Sequence, residues 1–151
     1  MPLVADLVAK LRIRGIEIAP GPVRAGRYGD SPELSAALLA LILDGRKRAG
    51  TSLLWAIDAA KEALPRIGQI EIVVDHQNEP VIVTRITCVE LVPFNQVTAE
   101  YAAIEGEGDG SLQYWRAAHR AFFSSECKRI GRVPTDFMPV VCTVFEVLNS
   151  V

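Results

Sequence analysis

The chain has 151 residues, half of them hydrophobic and 23% charged, with a formal net charge of −2. That length fits one domain with a core of its own, and the composition excludes extended disorder. The charge excludes a protein that coats nucleic acid by bulk attraction, and no apolar run, Leu34–Leu43 being the longest, reaches the roughly 18 residues of a membrane span.

Leu3, Leu7, Val8 and Leu11 recur at helical spacing and predict a first helix over 3–14. Residues 19–31 carry two prolines and three glycines, so a loop is expected there, with a boundary between an N-terminal extension (1–26) and the main body (27–151). Asp30 or Ser31 is placed to cap a second helix. Pro32 fits its first turn and Gly45 its end. A short helix is expected near Trp55–Leu64, stopped by Pro65. Gln69–Asp75 and Val81–Val92 are rich in Val, Ile and Thr, and the turn chemistry of His76–Pro80 joins them as a hairpin. A short helix follows Thr98, a Gly/acid tract occupies 105–110, and a long helix runs from Ser111 to about Ile130. Val140–Val147 reads as a closing strand. Strands and helices mix without βαβ alternation, which predicts an α+β fold with a small, largely antiparallel sheet or barrel.

Generic motifs fail on inspection. Gly45-Arg-Lys-Arg-Ala-Gly50-Thr51-Ser52 is a near miss to a phosphate-binding P-loop: it lacks a lysine after the second glycine and a strand before the first. Glu105-Gly-Glu107-Gly-Asp109-Gly110 has the alternating acids of a calcium loop, yet Arg116 stands where the bidentate acid should be. His76 and His119 have no metal-ligand spacing. His119 shares a helix face with Leu112, Trp115 and Phe122, where a histidine with one hydrogen-bond partner is expected. Cys88, Cys127 and Cys142 are odd in number and set in apolar context, as suits reduced thiols in a cytoplasm; no secretion signal precedes them. Arg46-Lys47-Arg48 complements a helix end, and the small residues after it leave amides and hydroxyls open to an anion.

Several ordered blocks are more specific: Tyr28-Gly-Asp-Ser-Pro-Glu-Leu, Leu43-Asp-Gly-Arg-Lys-Arg-Ala-Gly-Thr-Ser-Leu-Leu-Trp55, Val92-Pro-Phe, Glu105-Gly-Glu-Gly-Asp and Tyr114-Trp-Arg. Together they resemble the bacterial ASCH domain proteins of about 150 residues, over residues 27 to 148. The resemblance implies a PUA-like fold, a small β-barrel with helices around a cleft. The family signature Gly-x-Lys-x-x-Thr matches at Gly45 and Lys47, while its Thr position falls on Gly50, with Thr51 and Ser52 the nearest hydroxyls.

Family members that deacetylate acetylated cytidine use that Lys and Thr and a Glu, which maps to Glu105. Others resemble RNA-binding domains or metal-independent ribonucleases. The favoured expectation is therefore an RNA-binding protein that cleaves single-stranded RNA at Lys47. There Glu105 would be base or orienting partner, with Arg46 and Arg48 on neighbouring phosphates and Tyr28 and Trp115 stacking a base. Ser52, Arg116 and His119 complete the expected binding set. The alternatives are an amidohydrolase of N4-acetylcytidine using Lys47, Glu105 and Thr51, and a non-catalytic reader of RNA or a modified nucleotide. No cofactor or metal is expected. The expected partners are RNA or a nucleoside and no membrane, with residues 1–26 either covering the cleft or forming a homodimer contact.

Overall fold

The computed structural model describes residues 1–151. In chain order its elements are α1 (Val4–Ile13), β1 (Val23–Gly26), α2 (Pro32–Leu43), β2 (Ala49–Leu53), α3 (Leu54–Ala59), β3 (Ile70–Val74) and β4 (Pro80–Pro93). A 3-10 turn at Phe94–Gln96, α4 (Ala99–Glu105), α5 (Leu112–Ile130) and β5 (Pro139–Ser150) follow. Five strands form one sheet in the order β1-β3-β4-β5-β2, with β1 parallel to β3 and every other ladder antiparallel. The architecture is the expected α+β. Its ladder is open, with β1 and β2 as the two edges.

The β3–β4 hairpin forms where the Val/Ile/Thr runs place it. Asp75 Oδ1 accepts the amides of Gln77 and Glu79 at 2.9 and 3.0 Å, and Asn78 takes a left-handed conformation at φ 67. All five β3 positions are buried because helices cover both faces of the strand. Ile70, Ile72 and Val74 pack with Leu7 and Leu11 of α1; Val73 packs with Leu39 and Ile42 of α2. The third cluster joins the other end of the sheet to α4 and α5 through Leu53, Val140, Cys142, Ala102, Trp115 and Phe123. Each such large side chain contributes roughly 1.5–3 kcal/mol on full burial.

Four expectations change. The loop at 19–31 contains β1, a four-residue edge strand whose pairing comes entirely from distant β3. The tract of small residues after Arg48 is not an open loop: Ala49–Leu53 pairs residue by residue with Leu53↔Val140 through Ala49↔Val144. On α5 the buried stripe steps by four along one ridge, Trp115, His119, Phe123 and Cys127, which leaves Phe122 43% exposed. The helix after Ser52 is also shorter than expected, Leu54–Ala59, and Lys61 turns the chain at φ 54. No helix is long and apolar enough to cross a membrane.

Candidate active site at the junction of β2, α4 and α5

The end of α2 sorts its three cations by direction. Asp44 binds the Arg46 amide and guanidinium at 2.8–3.0 Å, which turns Arg46 outward. The Arg48 guanidinium donates to the carbonyls of Ile42 and Lys47, at 2.7 and 2.8 Å, and so closes the helix end. Lys47 between them points inward and is 1% exposed. Its Nζ donates to the Ala49 carbonyl at 2.7 Å and to Glu107 Oε2 at 2.9 Å. It also lies 3.5 Å from Glu105 Oε1 and 5.3 Å from the centre of the Tyr28 ring.

Glu105 ends α4, a helix capped by the Thr98 hydroxyl. Gly106 then reverses the chain at φ 69, pressed so closely on the Arg46 carbonyl that no side chain fits. Arg48 N donates to the Ile104 carbonyl at 2.9 Å, stitching this corner to the start of β2. The reversal delivers both Glu105 and Glu107 to Lys47.

Glu105 is 2% exposed and saturated with partners. Its Oε2 accepts from the Thr51 hydroxyl at 2.8 Å and from Trp115 Nε1 at 2.6 Å, and its Oε1 faces His119 Nε2 at 2.9 Å. His119 Nδ1 bonds the Trp115 carbonyl at 2.9 Å, and the two rings stack with centroids 4.3 Å apart. A carbonyl and an ionised carboxylate both only accept, so this pair of partners favours the imidazolium form of His119, in which both ring nitrogens donate.

The electrostatics agree with this. Burial works against the charged form of Glu105, but the His119 hydrogen bond and the Lys47 and His119 charges outweigh it and hold the carboxyl well below its usual range. Burial likewise opposes charging His119, and the Glu105 bond and charge reverse that, for a net upward shift. Glu107 moves the other way: burial raises it, and the neighbouring Glu105 adds to the rise against the pull of Lys47. Two adjacent carboxylates thus differ in basicity, Glu105 the more readily ionised and Glu107 the readier to take a proton.

Thr51 reaches this group from β2, with its Oγ1 also 3.1 Å from the Tyr101 hydroxyl. Tyr101 lies one turn before Glu105 and donates to the Gly50 carbonyl at 2.7 Å. Burial raises the Tyr101 hydroxyl and pushes the Cys142 thiol, opposite Thr51 in the sheet, up to about 12. Both are neutral donors at physiological pH.

Of the residues expected at the site, Lys47, Glu105, Thr51, Tyr28, Trp115 and His119 converge. Arg46 and Arg48 instead hold the loop, because successive side chains there alternate outward and inward. Ser52 is exposed, since strand alternation turns it away from Thr51. Arg116 lies apart with Arg120, Asn95 and Asp136 in an open surface groove of about 620 Å3. Trp115 is core and site at once, its ring against Phe94 and its N–H on Glu105. His119 has two partners, not one. Glu107 and Tyr101 join the site unforeseen. The i, i+4 spacing of Tyr101 and Glu105 in a capped helix was the available signal for the tyrosine.

Glu105, Glu107 and His119 also form the one group of ligand atoms, all within 4.8 Å, of the kind that holds a metal ion. Lys47 Nζ sits among these atoms, and its ammonium supplies the positive charge there; a metal ion would have to expel it. The residues present do not fit a metal.

The ASCH domain family matches residues 24–149. The ASCH domain structure from Lactobacillus crispatus JV V101 is similar at 31% identity and a TM-score of 0.84, covering 95% of this chain and 92% of that one. Protein EF3133 from Enterococcus faecalis V583 is 32% identical with a TM-score of 0.78, covering 94% of this chain and 85% of that one. The hypothetical protein PH0355 shares the fold at 17% identity and a TM-score of 0.54, over 85% of this chain and 100% of that one. No curated protein matches the sequence. Family match, fold and the shared length of the two closer structures agree: the chain belongs to the ASCH domain family.

Proposed function

We propose that this ASCH domain binds a nucleobase, as a free nucleoside or as an unstacked base of RNA, and hydrolyses an acyl amide on it. N4-acetylcytidine is the substrate that the family resemblance names. The observation that carries this reading is the Thr51 hydroxyl, which donates to an ionised Glu105 at 2.8 Å while Lys47 lies 3.5 Å from the same carboxylate. A hydroxyl, a carboxylate and a cation converging on one point are the parts acyl transfer requires. Gly50 at the signature position is no obstacle, because Thr51 on the next residue reaches the carboxylate.

Thr51 Oγ attacks the acyl carbonyl and forms the C–O bond, its proton leaving along the hydrogen bond to Glu105. The Lys47 ammonium stabilises the oxyanion. The proton then passes to the departing amino nitrogen as the C–N bond breaks. Water, giving a proton to Glu107, adds to the acyl carbon of the Thr51 ester; the bond to Thr51 Oγ breaks, the acid is released and the proton returns to Thr51 Oγ. Glu107 suits that step because its shifted pKa makes it the more basic of the two carboxylates.

The same geometry weighs against Lys47 as the cation of a phosphodiester cleavage. A phosphate brought to it would meet Glu105 and Glu107 at once, and like charges at this range cost several kcal/mol. RNA enters this reading as the carrier of the base, extruded from its stack.

The test is a product assay with N4-acetylcytidine, with RNA containing it, and with unmodified single-stranded RNA. Wild type should release acetate from the first two and leave the third intact, and Thr51→Ala should abolish release while Tyr101 and Glu105 keep the fold. Cleavage of unmodified RNA that needs Lys47, without acetate release, rejects the amidohydrolase in favour of the ribonuclease.

A further inference from the structure

A second charged pair lies on the face of the sheet that carries Tyr28. Arg24 and Glu71 stand in register across the parallel β1–β3 ladder, with Gly26 and Val73 two residues on. Strand alternation puts Arg24 and Gly26 on the side of Glu71 and Val73, and Tyr28 packs against the cluster containing Val73. Glu71 occupies a strand buried at every position and is itself 7% exposed. Its carboxyl lies flat over Gly26, where a Cβ would stand 2.6 Å from the carboxyl carbon. β1 thus leaves room for this one acidic group.

The pairing is incomplete. Arg24 Nε donates to Glu71 Oε2 at 2.7 Å, and Oε1 accepts nothing from the protein. An ion pair kept for stability alone gains most from the two-pronged guanidinium–carboxylate fork, which is not formed here. Nor is Oε1 sealed: the one fully enclosed side-chain polar atom without a partner is Ser35 Oγ. Glu71 Oε1 is therefore a bare acceptor that keeps some contact with solvent, on a residue more than nine-tenths buried. Tyr28, two residues beyond Gly26 in the chain, links this acceptor to the site. Its ring lies over Lys47, and after burial the Glu71 carboxylate is the main influence raising its hydroxyl, with Glu105 and Glu107 adding to it.

We infer that Glu71 Oε1, beside Gly26, is a recognition group of the same site that accepts a hydrogen bond from a neutral donor of the bound nucleoside, a ribose hydroxyl or a base amino group. This rests on the nucleoside reading above. A carboxylate only accepts, so it selects ligands that bring a donor and turns away a phosphate. A ligand lacking the donor leaves a desolvated oxygen unpaired, which is how a polar pocket discriminates.

Calorimetric titration of the full chain with cytidine, 2′-deoxycytidine and uridine tests the inference in wild type and Glu71→Gln. In the variant Arg24 retains the amide oxygen, so the NH2 faces the ligand, donor against donor. Cytidine should bind about 10- to 100-fold more weakly. If the donor is the ribose 2′-hydroxyl, wild type should prefer cytidine to 2′-deoxycytidine and the variant should not. If it is the base amine, wild type should prefer cytidine to uridine and the variant should lose that preference instead. Both results support the inference. Glu71→Asp keeps the charge beside Arg24 but withdraws it by one methylene, and should show the same loss of selectivity if the glutamine variant does not fold. Unchanged affinity and selectivity in a folded variant overturn the inference while acetate release by wild type still upholds the proposed reaction. Glu71-dependent binding without acetate release does the reverse. Wild type that binds none of the three overturns the inference, and acetate release alone then decides the proposed reaction.

Discussion

Thr51 Oγ1 donates to Glu105 Oε2 at 2.8 Å between the edge strand β2 and the short helix α4, whose Leu53 and Ala102 belong to one core cluster. The contact exists because Gly106 turns α4 back onto Arg46 and because Arg48 N binds the Ile104 carbonyl. One corner of backbone therefore sets the distance between the Thr51 hydroxyl and the Glu105 carboxylate, and the site depends on it as much as on the side chains.

Lys47 is the one cation shared by Glu105 and Glu107, 1% exposed against 2% and 20%, while His119 pairs with Glu105 alone. Removing one partner from a buried ion pair leaves uncompensated charge and costs about 3–5 kcal/mol. Lys47→Met should lower urea-unfolding stability by that amount, a large share of the roughly 5–15 kcal/mol of an ordinary domain. Adding Glu107→Gln should restore part of the loss, since it removes one of the stranded charges. A double variant no more stable than Lys47→Met means that Glu107 is already neutral in the folded protein.

Much of this arrangement was legible beforehand, and the exceptions have physical causes. The β3–β4 hairpin announced itself in two apolar runs around Asp75, and Thr98 and Ser111 marked the starts of α4 and α5 as caps. β1 and β2 are short, rich in small residues and at the edges, so their pairing comes from β3 and β5 and leaves no local pattern. The signature brought Lys47, Glu105 and Thr51 into view. Arg46 and Arg48 looked the same as Lys47 in sequence, because only the folded loop decides which of three adjacent cations turns inward. Glu107 was hidden in an acidic turn whose direction depends on the left-handed Gly106.

Stability should fall on both sides of neutrality, through different groups. Glu105 is depressed in the fold, so its contribution is present above the unfolded carboxyl pKa of about 4.3 and is lost as pH falls toward the folded value. His119 is raised, so its contribution is complete below about pH 6.5 and disappears as pH rises through the folded value. Histidine NMR titration should show His119 titrating above the ordinary histidine range. His119→Gln should flatten the alkaline limb of the stability profile and leave the acid limb. An alkaline limb unchanged in that variant assigns it to another group.

Gly106→Ala should be among the most damaging small substitutions in the chain. Position 106 combines φ 69 with a carbonyl of Arg46 where the Cβ would go, so strain and overlap add. The backbone must open there, which withdraws Glu105 from Thr51 and Glu107 from Lys47 together. Expected are a drop in melting temperature of several degrees, on the scale of about 2–4 °C per kcal/mol for a domain of this length, and loss of acetate release in the fraction that remains folded. Gly110→Ala is the control. Its φ is similarly positive at 76, but nothing lies within 4 Å of a Cβ there, so it pays for strain alone and should retain activity.

Restoring threonine at the signature position should not restore function to a chain that lacks Thr51. A Cβ on Gly50 would stand 3.3 Å from Tyr28 Cε1 and 3.9 Å from Thr143 Oγ1, so a side chain there points at Tyr28, away from Glu105. Alternation along β2 enforces this, because Gly50 pairs with Thr143 while Thr51 pairs with Cys142 on the opposite face. Gly50→Thr on the wild-type background should therefore crowd Tyr28 and raise KM with less change in kcat. In the double variant Gly50→Thr/Thr51→Ala, acetate release from N4-acetylcytidine should stay as low as in Thr51→Ala alone. Recovery in the double variant would show that β2 slips by one residue to bring position 50 to Glu105. A slip of that kind flips every side chain of the strand, so Leu53 would leave the core and the recovered activity would come with a large fall in stability.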